Sequence, residues 1–286
     1  MTRKTLIISA FFFLNAFIFA QEESNSPEYI ERTFSATRLV IGQSVEIAPN
    51  GDMHLDIQHH FGPVNSGFYD FFGFDQAATR LGVHYSFNDW IAIGVGRTTI
   101  EKTWDGSLKV RLLRQKTNGK MPLSLTYFAN IGINSLEWED DTRTNYFSSR
   151  LSYSHQLIFA RKFGDKFSVQ IVPSLIHRNM VEREIDENDV FTLGGGASIK
   201  LNKTLNLNLE YHYILSQQTA AKYDNSLSIG IDINTAGHVF QFFLTNSQAM
   251  IEQHFLPETD GKWTTGDIHI GFNIVRSFTL KQKDYF

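Results

Sequence analysis

The chain has 286 residues, with 26 Lys and Arg against 30 Asp and Glu, a formal net charge of −4. It contains no cysteine, which excludes disulfides, a lipid-anchored N-terminus and thiolate metal sites. No basic stripe points to nucleic acid and no segment after the first twenty residues is a candidate membrane helix, yet 25 Phe and 10 Tyr are many for this length.

Residues 1–20 read as a signal peptide. Arg3 and Lys4 open it, and an apolar run follows over 6–19. That run is short for a spanning helix, which needs ~20 residues. Ala20 precedes the expected cut at Gln21, although Ile18 meets the small-residue rule poorly. An uncleaved anchor is the alternative. Residues 21–52 form an N-terminal arm. Its first part is polar, and 34–47 is semi-regular around Thr37-Arg38-Leu39-Val40-Ile41-Gly42. That stretch reads as a strand, a periplasmic segment or a plug, and it stays outside the strand count.

Twelve strands are expected over 53–280. They cover 53–61, 79–87, 91–99, 107–116, 123–134, 147–163, 167–178, 190–201, 205–215, 226–234, 238–246 and 267–280. The ninth shows the pattern. Leu205, Leu207, Leu209, Tyr211, Tyr213 and Leu215 share one face, and Asn206, Asn208, Glu210, His212 and Ile214 share the other. Connections at 88–90, 117–122, 164–166, 202–204 and 235–237 are short. Those at 62–78, 135–146, 179–189, 216–225 and 247–266 are long, and 100–106 is intermediate. An even strand number with alternating loop length is the pattern of an outer-membrane barrel with its short turns in the periplasm. Pro173 predicts a bulge in mid-strand. Residues 281–286 form a tail.

Alternation alone does not place lipid. The polar face is built from small neutral residues such as Ser152, Ser154, Gln156, Thr192 and Ser198, whereas a soluble surface is ~25–35% charged. The apolar face carries Tyr85, Tyr127, Tyr153, Tyr211 and Tyr213, and its only charges are Arg97, Arg114, Arg161 and Arg276. Lipid outside and water inside fit this best. Inward glycines, among them Gly82, Gly94, Gly96, Gly194, Gly196 and Gly271, read as leaving lumen unfilled. Inward Ser152 and Asn208 should then accept arginine, and outward Leu157, Leu207 and Ile229 should not.

Several segments resemble an uncharacterised barrel family of Bacteroidetes, domain of unknown function 5777. They are Thr37-Arg38-Leu39-Val40-Ile41-Gly42-Gln43-Ser44-Val45-Glu46, His59-His60-Phe61-Gly62, Phe71-Phe72-Gly73-Phe74-Asp75, Gly94-Val95-Gly96-Arg97, Asn145-Tyr146-Phe147-Ser148-Ser149-Arg150, Gly237-His238-Val239-Phe240-Gln241 and Gly266-Asp267-Ile268-His269. The resemblance covers about 34–280. It implies an outer-membrane barrel of a Gram-negative envelope and brings no catalytic residues.

Candidate functional residues lie on the inward face. His54, His60, His84, His212 and His269 share it with Asp56, Glu210, Asp232 and Asp267. His60, Asp267 and His269 are expected to converge at a wet outer mouth, where imidazole and carboxylate act through charge. Strand spacing offers no compact ligand set, so no metal and no cofactor are expected. Arg80, Lys109, Arg111, Arg150, Arg178 and Lys200 also point inward. Facing the acids, they make either the transverse field of a constriction or a stiffening salt-bridge network. Outward His155 and His177 have no serine beside them for nucleophilic chemistry. The loop with Phe68, Tyr69, Phe71, Phe72 and Phe74 either folds into the mouth or binds a partner, and so does the one with Met250, Ile251, Phe255, Leu256 and Trp263. The expectation is a channel or transporter for small polar solutes or ions, in contact with outer-membrane lipid. The rival is a non-conducting barrel that docks a surface, secretion or respiratory complex of the envelope. A membrane enzyme is a weaker third.

Overall fold

The computed structural model describes residues 29–280, apart from 139, 141, 143 and 182. The signal-peptide reading and the 281–286 tail lie outside the described residues.

Twelve antiparallel strands close into one barrel. They are β1 Asp52–Pro63, β2 Ala77–Ser86, β3 Ile91–Thr98, β4 Trp104–Leu113, β5 Ser124–Ile133 and β6 Leu151–Phe163. The second half is β7 Phe167–Arg178, β8 Asp189–Lys200, β9 Leu205–Ile214, β10 Ser226–Asn234, β11 His238–Thr245 and β12 His269–Thr279. Each strand pairs with its chain neighbours, and β1 closes on β12. Closure removes every sheet edge, which a span through hydrocarbon requires.

Strand boundaries shift where the pairing and the apolar alternation begin at different residues. The fourth strand starts earlier than expected, because Trp104 already pairs with Arg97. The sixth starts later, because Phe147–Arg150 coils as a 3-10 turn. The expected bulge at Pro173 is absent. Pro173 pairs with Leu193 in unbroken register, and on the β6 side the same register resumes at Phe159 and Ile171. Register slips instead between His60 and Pro63 and between Arg111 and Leu113.

The four outward arginines lie over rings near the barrel ends. Arg97 covers Trp104 at 5.5 Å, Arg114 covers Tyr29 at 5.0 Å, and Arg161 and Arg276 cover Phe163 and Phe278 at 4.8 Å. A cation held on an aromatic face at the boundary keeps its charge out of hydrocarbon.

The lumen is filled, and this overturns the reading of the inward glycines as open space. A Cβ on Gly82 would meet the Arg80 guanidinium, and one on Gly94 the His84 ring. Gly194 faces His212, Gly196 faces Leu39 and Gly271 faces the Phe243 ring. The small residues make room for large inward neighbours, and those neighbours pack against two inserted segments.

Candidate functional site: a lumen closed by two insertions

The first insertion is the N-terminal arm. It starts at the short-turn end, where Tyr29 bridges Lys116 and Ile30 N–H donates to Gln115 O at 3.1 Å. It runs up the lumen, reverses, and returns to enter β1, where Gly51 N–H reaches Ser86 O at 2.9 Å. The reversal is a narrow hairpin. Arg38 bridges Gln43, Leu39 N–H donates to Gly42 O at 2.9 Å, and Ser44 N–H to Thr37 O at 3.0 Å.

A buried irregular backbone must find partners for its polar groups. Here the barrel wall supplies them. Lys109 Nζ donates to Thr37 O at 2.9 Å, and Asn208 and Gln241 donate to Leu39 O at 3.2 and 3.1 Å. Asn273 serves Val40 O at 2.9 Å, Gln170 serves Gln43 O at 2.9 Å, and Thr126 serves Val45 O at 2.8 Å. At the tip, the Glu210 carboxylate accepts from Val40 N–H at 3.2 Å and Gly42 N–H at 2.8 Å. Gly42 is needed for that approach, since a Cβ there would stand 2.9 Å from Glu210 Oε1. The neutral polar face therefore wraps a peptide rather than water.

Leu39, Val40, Ile41 and Val45 pack in a cluster with Phe128, Ile158, Val172, Ile176, Val190, Ile214 and Phe243 of the wall. Those seven are inward positions that break the polar half of the alternation. Sequence reasoning placed Ile214 on that face and passed over the other six, although an apolar residue on a polar face was the available signal.

The second insertion is the last long loop. Its short helix Glu252–Phe255 dips into the opposite mouth, and Met250, Ile251, Phe255 and Leu256 are at most 1% exposed. The Phe255 ring meets His212 edge-on at 5.4 Å, and Gln253 donates to Asn130 O at 3.0 Å. The two insertions touch. Glu252 Oε1 takes Arg38 Nη1 at 3.1 Å and Gln43 Nε2 at 3.0 Å, with Arg38 and Glu252 side chains 4% and 0% exposed.

The other loop behaves in the opposite way. Phe68 and Tyr69 are 82% and 94% exposed, and Phe71, Phe72 and Phe74 also face outward. Of the two readings of this loop, folding into the mouth is the one the structure contradicts. Phe74 instead packs its ring, tilted, at 4.7 Å from Phe61 on the outer face of β1.

Most inward charges are paired nearby, as in a stiffening network. Arg80 holds Asp105 bidentately at 2.8 and 2.6 Å and also donates to Gln58. His84 meets Asp56 at 3.1 Å, His212 meets Glu210 at 3.1 Å, and Arg111 meets Glu46 at 3.7 Å. His54 bonds Ser277 at 3.0 Å, and Asp232 accepts from Gln241 at 2.9 Å. Arg178 pairs with Glu258, whereas Arg150 sits in the 3-10 turn and lies over the Trp138 ring at 3.8 Å.

His60, Asp267 and His269 share no hydrogen bond or ion pair with one another among the described residues. His60 is 0% exposed under the inserted loop and bonds Ser247 O at 3.2 Å, and His269 bonds Phe61 O at 2.8 Å. Asp267 precedes β12 and accepts from Thr265 and Asn65, which hold its carboxyl below the usual range. Among the described residues, no three His, Asp or Glu side chains are grouped to hold a metal ion. On the outer face, His155 bonds the Tyr127 hydroxyl at 2.7 Å and His177 bonds Asp189 at 2.6 Å.

Among the described residues, a cavity opens at each end of the lumen. The long-loop cavity holds about 500 Å³ and is lined by Glu101, Arg150, Ser152, Arg178, His254 and Glu258, among others. His254, 3.4 Å away, pulls the Glu101 carboxyl below its ordinary range, while burial pushes Glu258 up. The short-turn cavity holds about 260 Å³ and lies beside the arm.

Comparison with known proteins agrees with this architecture. Residues 34–278 match the family described as a membrane-bound β-barrel domain, domain of unknown function 5777. Among solved structures, a NanC porin superposes with a TM-score of 0.52 at 8% identity, over 78% of this chain and 98% of that one. A KdgM porin gives 0.48 at 11% identity, over 80% and 99%. An outer membrane channel of Pseudomonas putida F1 gives 0.48 at 14% identity, over 82% and 98%. At such identity the likeness to the NanC porin is one of fold. No curated protein matches the chain.

Proposed function

Since the chain belongs to the membrane-bound β-barrel family, domain of unknown function 5777, we propose that it is a gated outer-membrane channel for small polar solutes or ions, seen in its closed state. One observation carries the reading. The arm tip and the last loop close the lumen by meeting at Arg38 and Glu252, between a cavity at either end. The arm is not part of the sheet. It is held by hydrogen bonds and a small apolar cluster, so it can leave without breaking a strand pair. The porin-type fold of the NanC neighbour supports the reading by analogy.

The test is conductance in planar bilayers. Glu252→Lys sets a like charge beside Arg38 and should raise open probability at least tenfold over wild type. The swap Arg38→Glu with Glu252→Lys should restore closure. Silence of folded Glu252→Lys, judged by heat-modifiable migration, would sink the gate and favour the docking barrel.

Orientation follows loop length, with the short turns in the periplasm. Cysteine at Asp140 should label on intact cells with an impermeant reagent, and cysteine at Lys203 should not. The native chain has no cysteine to confuse the result. Reversed labelling would invert the topology.

A further inference from the structure

The charges of the lumen are distributed unevenly. Elsewhere in the lumen arginines face carboxylates: Arg38 with Glu252, Arg80 with Asp105, Arg111 with Glu46. The cavity at the short-turn end is different. Lys162, Lys166, Lys200, Lys203 and Arg32 all line its 260 Å³. Among the described residues none of the five has an ion-pair partner, and Arg32 donates only to the Ser35 carbonyl at 3.3 Å. The acids on the same cavity, Glu31 and Asp165, are fewer and leave positive charge in excess.

The basic groups are placed by the fold. Lys162 and Lys200 end the inward rows of β6 and β8. Lys162 pairs with Ser168 across β6 and β7, and Ser168 pairs with Ser198 across β7 and β8. This makes a ledge of one ammonium and two hydroxyls at a single height. Ser168 and Ser198 are 4% and 6% exposed, and their hydroxyls have no protein partner among the described residues. Lys166 and Lys203 close the cavity from the two turns, and the arm from Glu31 to Ser35 forms its remaining wall.

Crowded like charges in a concave site raise its energy until a counter-charge arrives. Ammonium groups and hydroxyls are both donors suited to oxyanions. We propose that this mouth is a binding site for a small oxyanion carrying two or more carboxylate or phosphate groups. The volume suits a molecule of citrate size and not a polymer. The site stands whether or not the barrel conducts. A bound anion bridges the arm to the turns of the wall, so it also holds the arm in place.

Calorimetry on the whole protein in uncharged detergent tests this, with citrate and inorganic phosphate as probes. Citrate should bind, and more tightly than phosphate. Lys162→Gln with Lys200→Gln should weaken citrate at least tenfold, and Lys203→Gln, on a turn and remote from packing, should weaken it less. Added salt should weaken it too, through screening. Nanodiscs separate the two sources of such an anion. Equal citrate binding in phosphatidylcholine and phosphatidylglycerol discs assigns the site to a soluble solute. Loss of citrate binding only in phosphatidylglycerol discs assigns the same site to lipid phosphate. No citrate binding in detergent or phosphatidylcholine, or binding that the folded double variant leaves unchanged, overturns the proposal.

Discussion

Arginine at Leu157, Leu207 or Ile229 should abolish barrel assembly. All three point outward from strands that pair on both sides, and Leu157 and Ile229 are each 39% exposed on the lipid face. A guanidinium near the bilayer midplane costs about 2–4 kcal/mol and less toward the interfaces, so Leu157, in the middle of β6, should show the largest effect and Leu207, near the start of β9, the smallest. The readout is the heat-modifiable folded band in the membrane fraction. Ser152→Arg should leave that band intact, because Ser152 opens onto the long-loop cavity. Asn208→Arg is the informative contrast. The alternation makes it a harmless lumenal site, but Asn208 is 1% exposed and donates to Leu39 O. Arginine there should leave the barrel assembled and expel the arm, seen as new protease cleavage within 29–47. Assembly of the outward variants at wild-type level would mean that the lipid face is wrongly assigned.

The faces of the barrel were legible because strand periodicity is a local property. Leu205 to Leu215 declare a two-sided strand without reference to anything distant. The arm was legible only as a choice among three structures. Leu39, Val40 and Ile41 are apolar in a row and suit a strand as well as a plug. What decides between them is spread over the wall, in Glu210, Asn273, Gln241 and Thr126, and no window of sequence shows those side chains converging. Two long loops make the same point. Both carry several large apolar side chains, yet Phe68 lies in the open while Phe255 is buried. The last loop reaches inward because Glu252 finds Arg38, and Phe255 finds the His212 ring. The histidine group at the mouth failed for a smaller reason. His60 bonds Ser247 O of the inserted loop and His269 bonds Phe61 O, while Asp267 stays in the segment before β12 with Thr265 and Asn65.

Asp105→Ala should destabilise the barrel by about 3–5 kcal/mol, the usual cost of stranding one member of a buried ion pair. Arg80 is 1% exposed and its guanidinium is fixed on three sides. Asp105 takes two of its donors, and Gln58 Oε1 takes a third at 3.1 Å. Below it lie Gly82 and Gly96. A Cβ on Gly82 would stand 2.7 Å from Arg80 Nη1, so the strands leave space only for this one placement. With Asp105 gone, the buried guanidinium keeps one hydrogen-bond acceptor, Gln58, and no carboxylate in contact. The penalty comes from a buried charge left without a contacting partner and not from the worth of the pair. That distinction is testable. Arg80→Met with Asp105→Leu removes both charges and should recover most of the loss, measured as the midpoint of urea unfolding in lipid vesicles. Gly96→Val should move the midpoint in the same direction as Asp105→Ala, because a side chain at 96 displaces Arg80 from its partner. If the double variant were as unstable as Asp105→Ala, the pair itself would be holding β2 to β4 across β3, and the network would contribute stability beyond neutralising its own charges.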